Sequence, residues 1–209
     1  MNLLLHICCG PCACYPLKKL RAEGISVTGF FFNPNIHPYT EWERRLKTAE
    51  QFAESREMPL IVDKNYGLRE FVKRVFPVLD EPITLKLAKK RCGVCWAWRL
   101  EAAAKLAKQN GFEAFSSSLF YSIYQDHELM KKIAQNLEKK YEIKFFYEDF
   151  RVGWDEGIKI SRELELYRQP YCGCVFSEED RYSKAIRKER KRLAREMRRQ
   201  GEIEWPSSN

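Results

Sequence analysis

Residues 2–12 read NLLLHICCGPC, and this stretch decides the fold. Apart from Asn2 and His6, residues 2–7 are an unbroken apolar run, the pattern of a strand buried on both faces. CCGPC then turns the chain, and the spacing predicts a helix over residues 15–23, closed by Gly24. Cys8, Cys9 and Cys12 fall between strand and helix. In an open parallel sheet ligands bind beyond the carboxyl ends of the strands. Backbone N–H groups and the helix dipole there favour anions, thiolates included. Gly10 alone is too little glycine for a phosphate-cradling loop, so thiolates stand where a phosphate would sit.

The same alternation continues along the chain. Strands are expected at residues 26–32, 60–63, 113–119 and 143–147. Helices are expected at 41–57, 67–75, 86–110, 127–140, 157–165 and 178–201, with a loop over 76–84 around Pro77 and Pro82. Strands alternating with helices predict a parallel sheet covered by helices on both faces. There is no internal repeat and no low-complexity linker.

The chain has 209 residues, with 37 Lys and Arg against 29 Asp and Glu, a net charge of +8. Residues 181–200 hold ten basic and two acidic side chains, so this one segment carries the whole excess. The expected organisation is a neutral α/β body over residues 1–180 and a basic helix and tail over 181–209. A hydrophobic content of 44% suffices for a core and excludes general disorder. No apolar run approaches the roughly 18 residues of a membrane span. The opening MNLLLHICCG lacks a secretory pattern, so a cytoplasmic location without membrane attachment is expected. The basic segment, with Arg187, Lys188, Arg190, Lys191 and Arg195 at its centre, can neutralise nucleic-acid phosphates. Its bland alternative is a solvated charged helix.

Eight cysteines stand at 8, 9, 12, 14, 92, 95, 172 and 174. Three tight clusters in a reducing compartment point to metal or redox chemistry rather than a disulfide framework. Cys92 and Cys95, three apart, share a helix face, and Gly173 lets a tight turn aim Cys172 and Cys174 at one region. Four thiolates suffice for one zinc ion or one [4Fe–4S] cluster, and spacing does not choose between them. Seven or eight are too many for a single centre. Two neighbouring centres are therefore expected, with Cys8 and Cys9 divided between them. Asp149 is the carboxylate best placed to complete the second. Cys14 reads as a small buried hydrophobe and His6 as a core histidine, while His37 is open. Tyr121, Tyr124, Gln125 and His127 follow the fourth strand, where aromatics and amides can hold a nucleobase, against ordinary loop packing. Asp149 and Arg151 close the fifth strand.

HICCGPC, NPNIHPYTEWERR, RCGVCWAWRL, SIYQDHE, YEDFRVGW and LYRQPYCGCVFSEEDRY, in that order, resemble the QueH-type epoxyqueuosine reductases. The resemblance runs from about Leu4 to Tyr182 and leaves out the basic tail. It implies a Rossmann-like (HUP-like) α/β fold and a cobalamin-independent oxidoreductase. The implied substrate is tRNA bearing epoxyqueuosine at the wobble position, reduced to queuosine with an external electron donor. The implied cofactors are a [4Fe–4S] cluster and a second, mononuclear iron, which decides iron over zinc. On this reading Cys92 and Cys95 join two of Cys9, Cys12 and Cys174 at the cluster. The second iron takes cysteines left from Cys8, Cys12 and Cys172, with Asp149. Tyr124, Gln125 or His127 holds the base or donates a proton. Competing readings are a zinc-stabilised RNA-binding module without redox activity, and a thiol–disulfide oxidoreductase using Cys92 and Cys95. Anaerobically purified protein is expected to be brown, absorbing near ~400 nm from thiolate-bound iron, where a zinc module is colourless.

Overall fold

The computed structural model describes residues 1–79 and 85–183, together with 188, 189, 191, 192, 195 and 196. The elements run β1 (Asn2–Ile7), α1 (Gly10–Ala22), β2 (Ser26–Phe31), α2 (Tyr39–Ser55), β3 (Leu60–Val62) and α3 (Leu68–Val75). They continue with α4 (Leu85–Gln109), β4 (Ala114–Ser117), α5 (His127–Tyr141), β5 (Lys144–Phe145), α6 (Trp154–Glu163) and α7 (Val175–Tyr182). Short 3-10 turns occupy Phe76–Val78, Ser118–Tyr121 and Phe150–Gly153. All pairings are parallel, in the order β3-β2-β1-β4-β5. The expected α/β, Rossmann-like class is therefore the observed one. β1 lies at the centre, and the chain reverses its direction of travel across the sheet between β1 and β4. That is the switch point at which such sheets form a ligand crevice.

β1 is central because it carries no exposed face to satisfy. Leu3, Leu4, Leu5 and Ile7 are fully buried, and so is His6. In register, His6 lies between Phe30 of β2 and Ser117 of β4. His6 Nδ1 is 2.9 Å from Ser117 Oγ and Nε2 is 3.0 Å from the Phe32 carbonyl, so both ring nitrogens are satisfied. Burial, reinforced by Arg99, holds its pKa down at about 3. It is the neutral core histidine that its position in the strand implied. Helices α1, α2 and α6 pack together on one side, while α4 packs on α5, β1 and β4.

The first helix begins earlier than the sequence suggested. Gly10 is already its first residue, so Cys12 and Cys14 are helical and the turn shrinks to Cys8 and Cys9. Pro11 does not delay the helix, because the N–H groups of a first turn have no intrahelical partner anyway. Gly10 serves close packing rather than a phosphate. A Cβ there would lie 2.6 Å from the Thr48 carbonyl of α2. At the other end, the expected helix over 178–201 is interrupted. α7 ends at Tyr182, because Ser183 takes ψ 90 and leaves the helical region. Beyond it Lys188, Lys191 and Arg195 are exposed with helical backbone, and Arg192 pairs with both acids of the segment, Glu189 and Glu196. Arg187 and Arg190 lie outside the described residues. Among the described residues no helix is long and apolar enough to cross a membrane. Alanine normally strengthens a helix relative to glycine. Gly10→Ala is nonetheless expected to destabilise by about 1–3 kcal/mol through overpacking against α2, read as a lowered melting temperature.

Candidate metal centre and active site

The turn after β1 gathers three thiols. The Sγ atoms of Cys8, Cys9 and Cys12 all lie within 4.8 Å of one another, and those of Cys8 and Cys9 are 3.8 Å apart. The two adjacent cysteines, expected to separate, thus converge. Hydrogen bonds from Cys12 and Cys9 hold the Cys8 thiol well below its ordinary range, and Arg99 and Arg45 add to this against the cost of burial. Burial pushes Cys9 up, and the bonds with Cys8 and Cys9 push Cys12 up. Of the three, Cys8 is the thiol whose surroundings most favour ionisation.

Four further thiols lie on α4 and the loop before α7, where Cys95 and Cys174 share one small core. Burial pushes the thiols of Cys92 and Cys95 up to about 12, and Cys172, exposed to the cavity, is pushed upward by its enclosed setting and by Cys174. Cys172 and Cys174 raise both α4 thiols further, which places the four within electrostatic reach of each other. Cys8 in turn raises Cys172, so the two groups adjoin. Thiols that oppose one another's ionisation make a donor set suited to a multiply charged cationic centre, whose charge removes the conflict. Cys14 belongs to neither group. It is buried in the core, its Sγ 3.5 Å from the Gly10 carbonyl, with burial raising its pKa to about 12.

Two buried arginines serve this arrangement. Arg45 is paired with Glu41 at 2.7 Å, and its remaining nitrogens donate to the carbonyls of Cys172 and Tyr171 at 2.8 and 2.9 Å. That grip fixes the YCGC loop. Gly173 sits inside it at φ +134, where a Cβ would also come 3.1 Å from the Arg45 guanidinium. Tyr171 and Gly173 bond the main chain of His37, which ties the loop to residues 33–38. Arg99, only 2% exposed, donates to Asn33 Oδ1 at 2.7 Å and approaches Cys95 Sγ at 4.0 Å. Asn33 in turn holds the Ile7 carbonyl at the end of β1. Among the described residues Arg99 has no carboxylate partner, and its charge faces the cysteines. A buried cation with thiolates as its counter-charge is what an anionic metal–thiolate centre requires.

The centre opens on a cavity of about 620 Å³. Cys8, Cys12 and Cys172 reach it, together with Arg99, Tyr121, Tyr124, Gln125, Trp154, Arg168, Gln169 and Arg181. Side-chain N–H and O–H groups point at its sulfurs. Gln169 Nε2 is 3.5 Å from Cys12, Gln125 Nε2 3.8 Å from Cys172, and Ser118 Oγ 3.8 Å from Cys8. The Gln125 orientation is fixed: its Oε1 accepts the Trp96 indole N–H at 2.9 Å, and indole only donates. Aromatic rings form another part of the lining. Tyr121 stacks on Trp154 at 5.1 Å, and Tyr124, 81% exposed, meets Trp154 edge-on at 6.0 Å.

Asp149 and His127 stand aside from this lining. Asp149 bonds the Arg151 backbone N–H and pairs with its guanidinium at 2.5 Å, which holds its carboxyl below the usual range. His127 is buried, with Nε2 3.1 Å from the Ser122 carbonyl and Nδ1 4.0 Å from Asp149. Burial lowers its pKa. Sequence reading missed Arg99, Ser118, Trp154 and Gln169. A signal existed for Arg99, which lies one helical turn after Cys95 and thus on the same face.

Residues 3–180 match the family model described as epoxyqueuosine reductase QueH. The chain belongs to the QueH family of epoxyqueuosine reductases. It is 37% identical to the QueH of Dehalococcoides mccartyi over 183 residues, covering 88% of this chain and 96% of that protein. It is 34% identical to that of Thermotoga maritima over 195 residues, covering 91% and 97%. Its family makes it an oxidoreductase. A solved structure described as a predicted subunit of a tRNA methyltransferase, from Methanocaldococcus jannaschii, shares the fold. It has a TM-score of 0.53 at 14% identity and covers 78% of this chain and 74% of that one.

Metal content after anaerobic reconstitution separates the cysteines. Cys14→Ala is expected to leave it unchanged, Cys95→Ser to lower it, and Arg99→Met to lower it although no thiol is removed.

Proposed function

We propose that this protein reduces epoxyqueuosine at the wobble position of tRNA to queuosine, in the cavity at the carboxyl end of β1. The overall change removes one epoxide oxygen as water and leaves an alkene, consuming two electrons and two protons. The observation that carries this reading is the convergence of three thiols after β1, with Cys172 from a distant part of the chain, on a cavity lined by aromatic rings and amides.

In this reading Cys92, Cys95, Cys172 and Cys174 hold a [4Fe–4S] cluster, and Cys8, Cys9 and Cys12 hold the second iron. This regroups the ligands by space rather than by sequence order. When bound, the cluster supplies electrons one at a time and the second iron a Lewis acid for the epoxide oxygen. Trp154 and Tyr124 sandwich or edge the flipped base, an arrangement suited to any nucleobase face. The hydroxyls of Tyr121 and Tyr171 are committed to the carbonyls of Trp154 and His37, both at 2.7 Å. Tyr124 has no such bond among the described residues, so its phenol is the lining tyrosine assigned to proton delivery. Gln125 and Gln169 keep the cavity-facing thiols of Cys172 and Cys12 in place. Asp149 reaches the second iron only by giving up Arg151. Held where it is, it acts with His127, which anchors the Ser122 carbonyl and so the loop bearing Tyr124. Arg168 and Arg181 line the cavity as partners for phosphate, and the basic segment past Ser183 adds charge for the tRNA backbone.

Mössbauer spectra of the reconstituted protein are expected to show a cluster and a separate iron site; a lone four-cysteine cluster, or zinc in its place, defeats the two-centre scheme. Removal of residues 184–209 is expected to weaken tRNA binding and flatten its salt dependence while metal content is retained. Unchanged affinity and slope would leave the segment as a solvated helix.

A further inference from the structure

The four-cysteine group has two sides. Cys172 faces the cavity, where the substrate sits in the reading above. Cys95 and Cys174 turn elsewhere: Cys174 packs with Phe71 and Val75 of α3, and Cys95, Trp98 and Phe176 pack against the same small core. Among the described residues, α3, the turn after it and Phe176 of α7 cover this side of the group. The inward residues of α3, Phe71 and Val75, are 1% and 0% exposed.

The outward side of α3 and its extension is unusual for a short surface helix. Leu68, Val72 and Phe76, each four residues apart, form an exposed stripe at 37%, 40% and 59%. Arg69, Lys73 and Arg74 are exposed on the same helix against one acid, Glu70, which is paired with Lys73 at 3.3 Å. The Arg74 guanidinium lies 4.4 Å over the ring of Trp98, which itself packs toward Cys95. An apolar stripe among cations, one side-chain layer from the thiols and away from the substrate cavity, fits a small and transient contact. Electron-transfer encounters are of this kind, with limited area and steering by charge.

We propose that the outer face of α3 is the docking site of the reductant, an acidic protein that carries one electron at a time. The proposal rests on the iron–sulfur reading above. Two reduced carriers and two protons convert the epoxide to the alkene and one water, leaving two oxidised carriers. Each carrier binds over α3, gives up its electron toward Cys95 and Cys174, and leaves while the tRNA stays on the cavity side. The positive charge of the face selects an acidic partner, and the apolar stripe supplies the dry centre of the contact.

The test uses the reconstituted full-length protein and tRNA containing epoxyqueuosine, with turnover driven either by a reduced acidic [2Fe–2S] ferredoxin or by reduced methyl viologen. The double variant Arg69→Glu, Lys73→Glu is expected to lower kcat/KM for ferredoxin about tenfold at low salt, and less at high salt. Iron content and viologen-driven turnover are expected to match the unaltered protein. Val72→Gln, which leaves the charges in place, is expected to weaken the ferredoxin reaction without changing its salt dependence. An unchanged ferredoxin reaction in the double variant overturns the proposal. So does a parallel loss with both reductants, which would make α3 a support for the cluster alone. A change of oligomeric state instead would mean that a second copy covers this face. Unaltered protein that turns over with viologen but not ferredoxin refutes the carrier class. Iron-loaded protein inactive with both reductants refutes the reductase reading itself.

Discussion

Arg99 is a cation buried among sulfurs, and much of the molecule is arranged around that fact. Its guanidinium reaches Asn33, which holds the end of β1, and stands beside Cys95 of α4. It therefore joins the central strand, the loop after β2 and the long helix at one point. Among the described residues no carboxylate neutralises it. Asn33 accepts a hydrogen bond from this buried charge, and the lowered Cys8 thiol faces it. The same charge depresses the neighbouring Cys8 and His6 in opposite chemical senses: it favours the thiolate and disfavours the imidazolium. His6 stays neutral and structural while Cys8 is ready to ligate.

Arg45 completes the arrangement from the other side. Its charge is shared between Glu41 and the nearby thiols of Cys8 and Cys9, and it also holds the YCGC loop, with two donors on consecutive carbonyls. The loop has no regular structure of its own, and its thiols are aimed by that grip and by the turn at Gly173. Rigid strand end, helix face and clamped loop are three different ways of fixing a sulfur, and the site uses each. The substrate cavity inherits this rigidity on the thiol side. Its aromatic side is looser, with Tyr124 largely in solvent.

The sheet was legible because its signals are local. The apolar run of residues 2–7 and the regular alternation after it require no knowledge of distant contacts. Where local chemistry misled, a tertiary or boundary effect had intervened. CCGPC reads as a turn, yet Pro11 costs nothing in a first helical turn, and Gly10 is dictated by α2 rather than by the loop. The cysteines announced a metal site by spacing, but spacing does not tell which pairs meet. Cys174 shares a small core with Cys95 of α4, on a loop that Arg45 holds, and nothing near YCGC in sequence records that residue. Asp149 stands near the end of β5, as expected, and there its carboxylate pairs with Arg151, two residues on. Trp154 and Gln169 act through the cavity they line, which exists only after the chain has closed.

The clamp of Arg45 on Tyr171 and Cys172 spans 126 and 127 residues of sequence. The thiol groups are therefore assembled from the beginning, middle and end of the folded body. A ribosome-bound chain lacking its last quarter owns the sheet centre, the triad after β1 and the α4 pair, but not a closed site. A metal held by thiols of both groups would tie the strand end and α4 to a loop far along the chain.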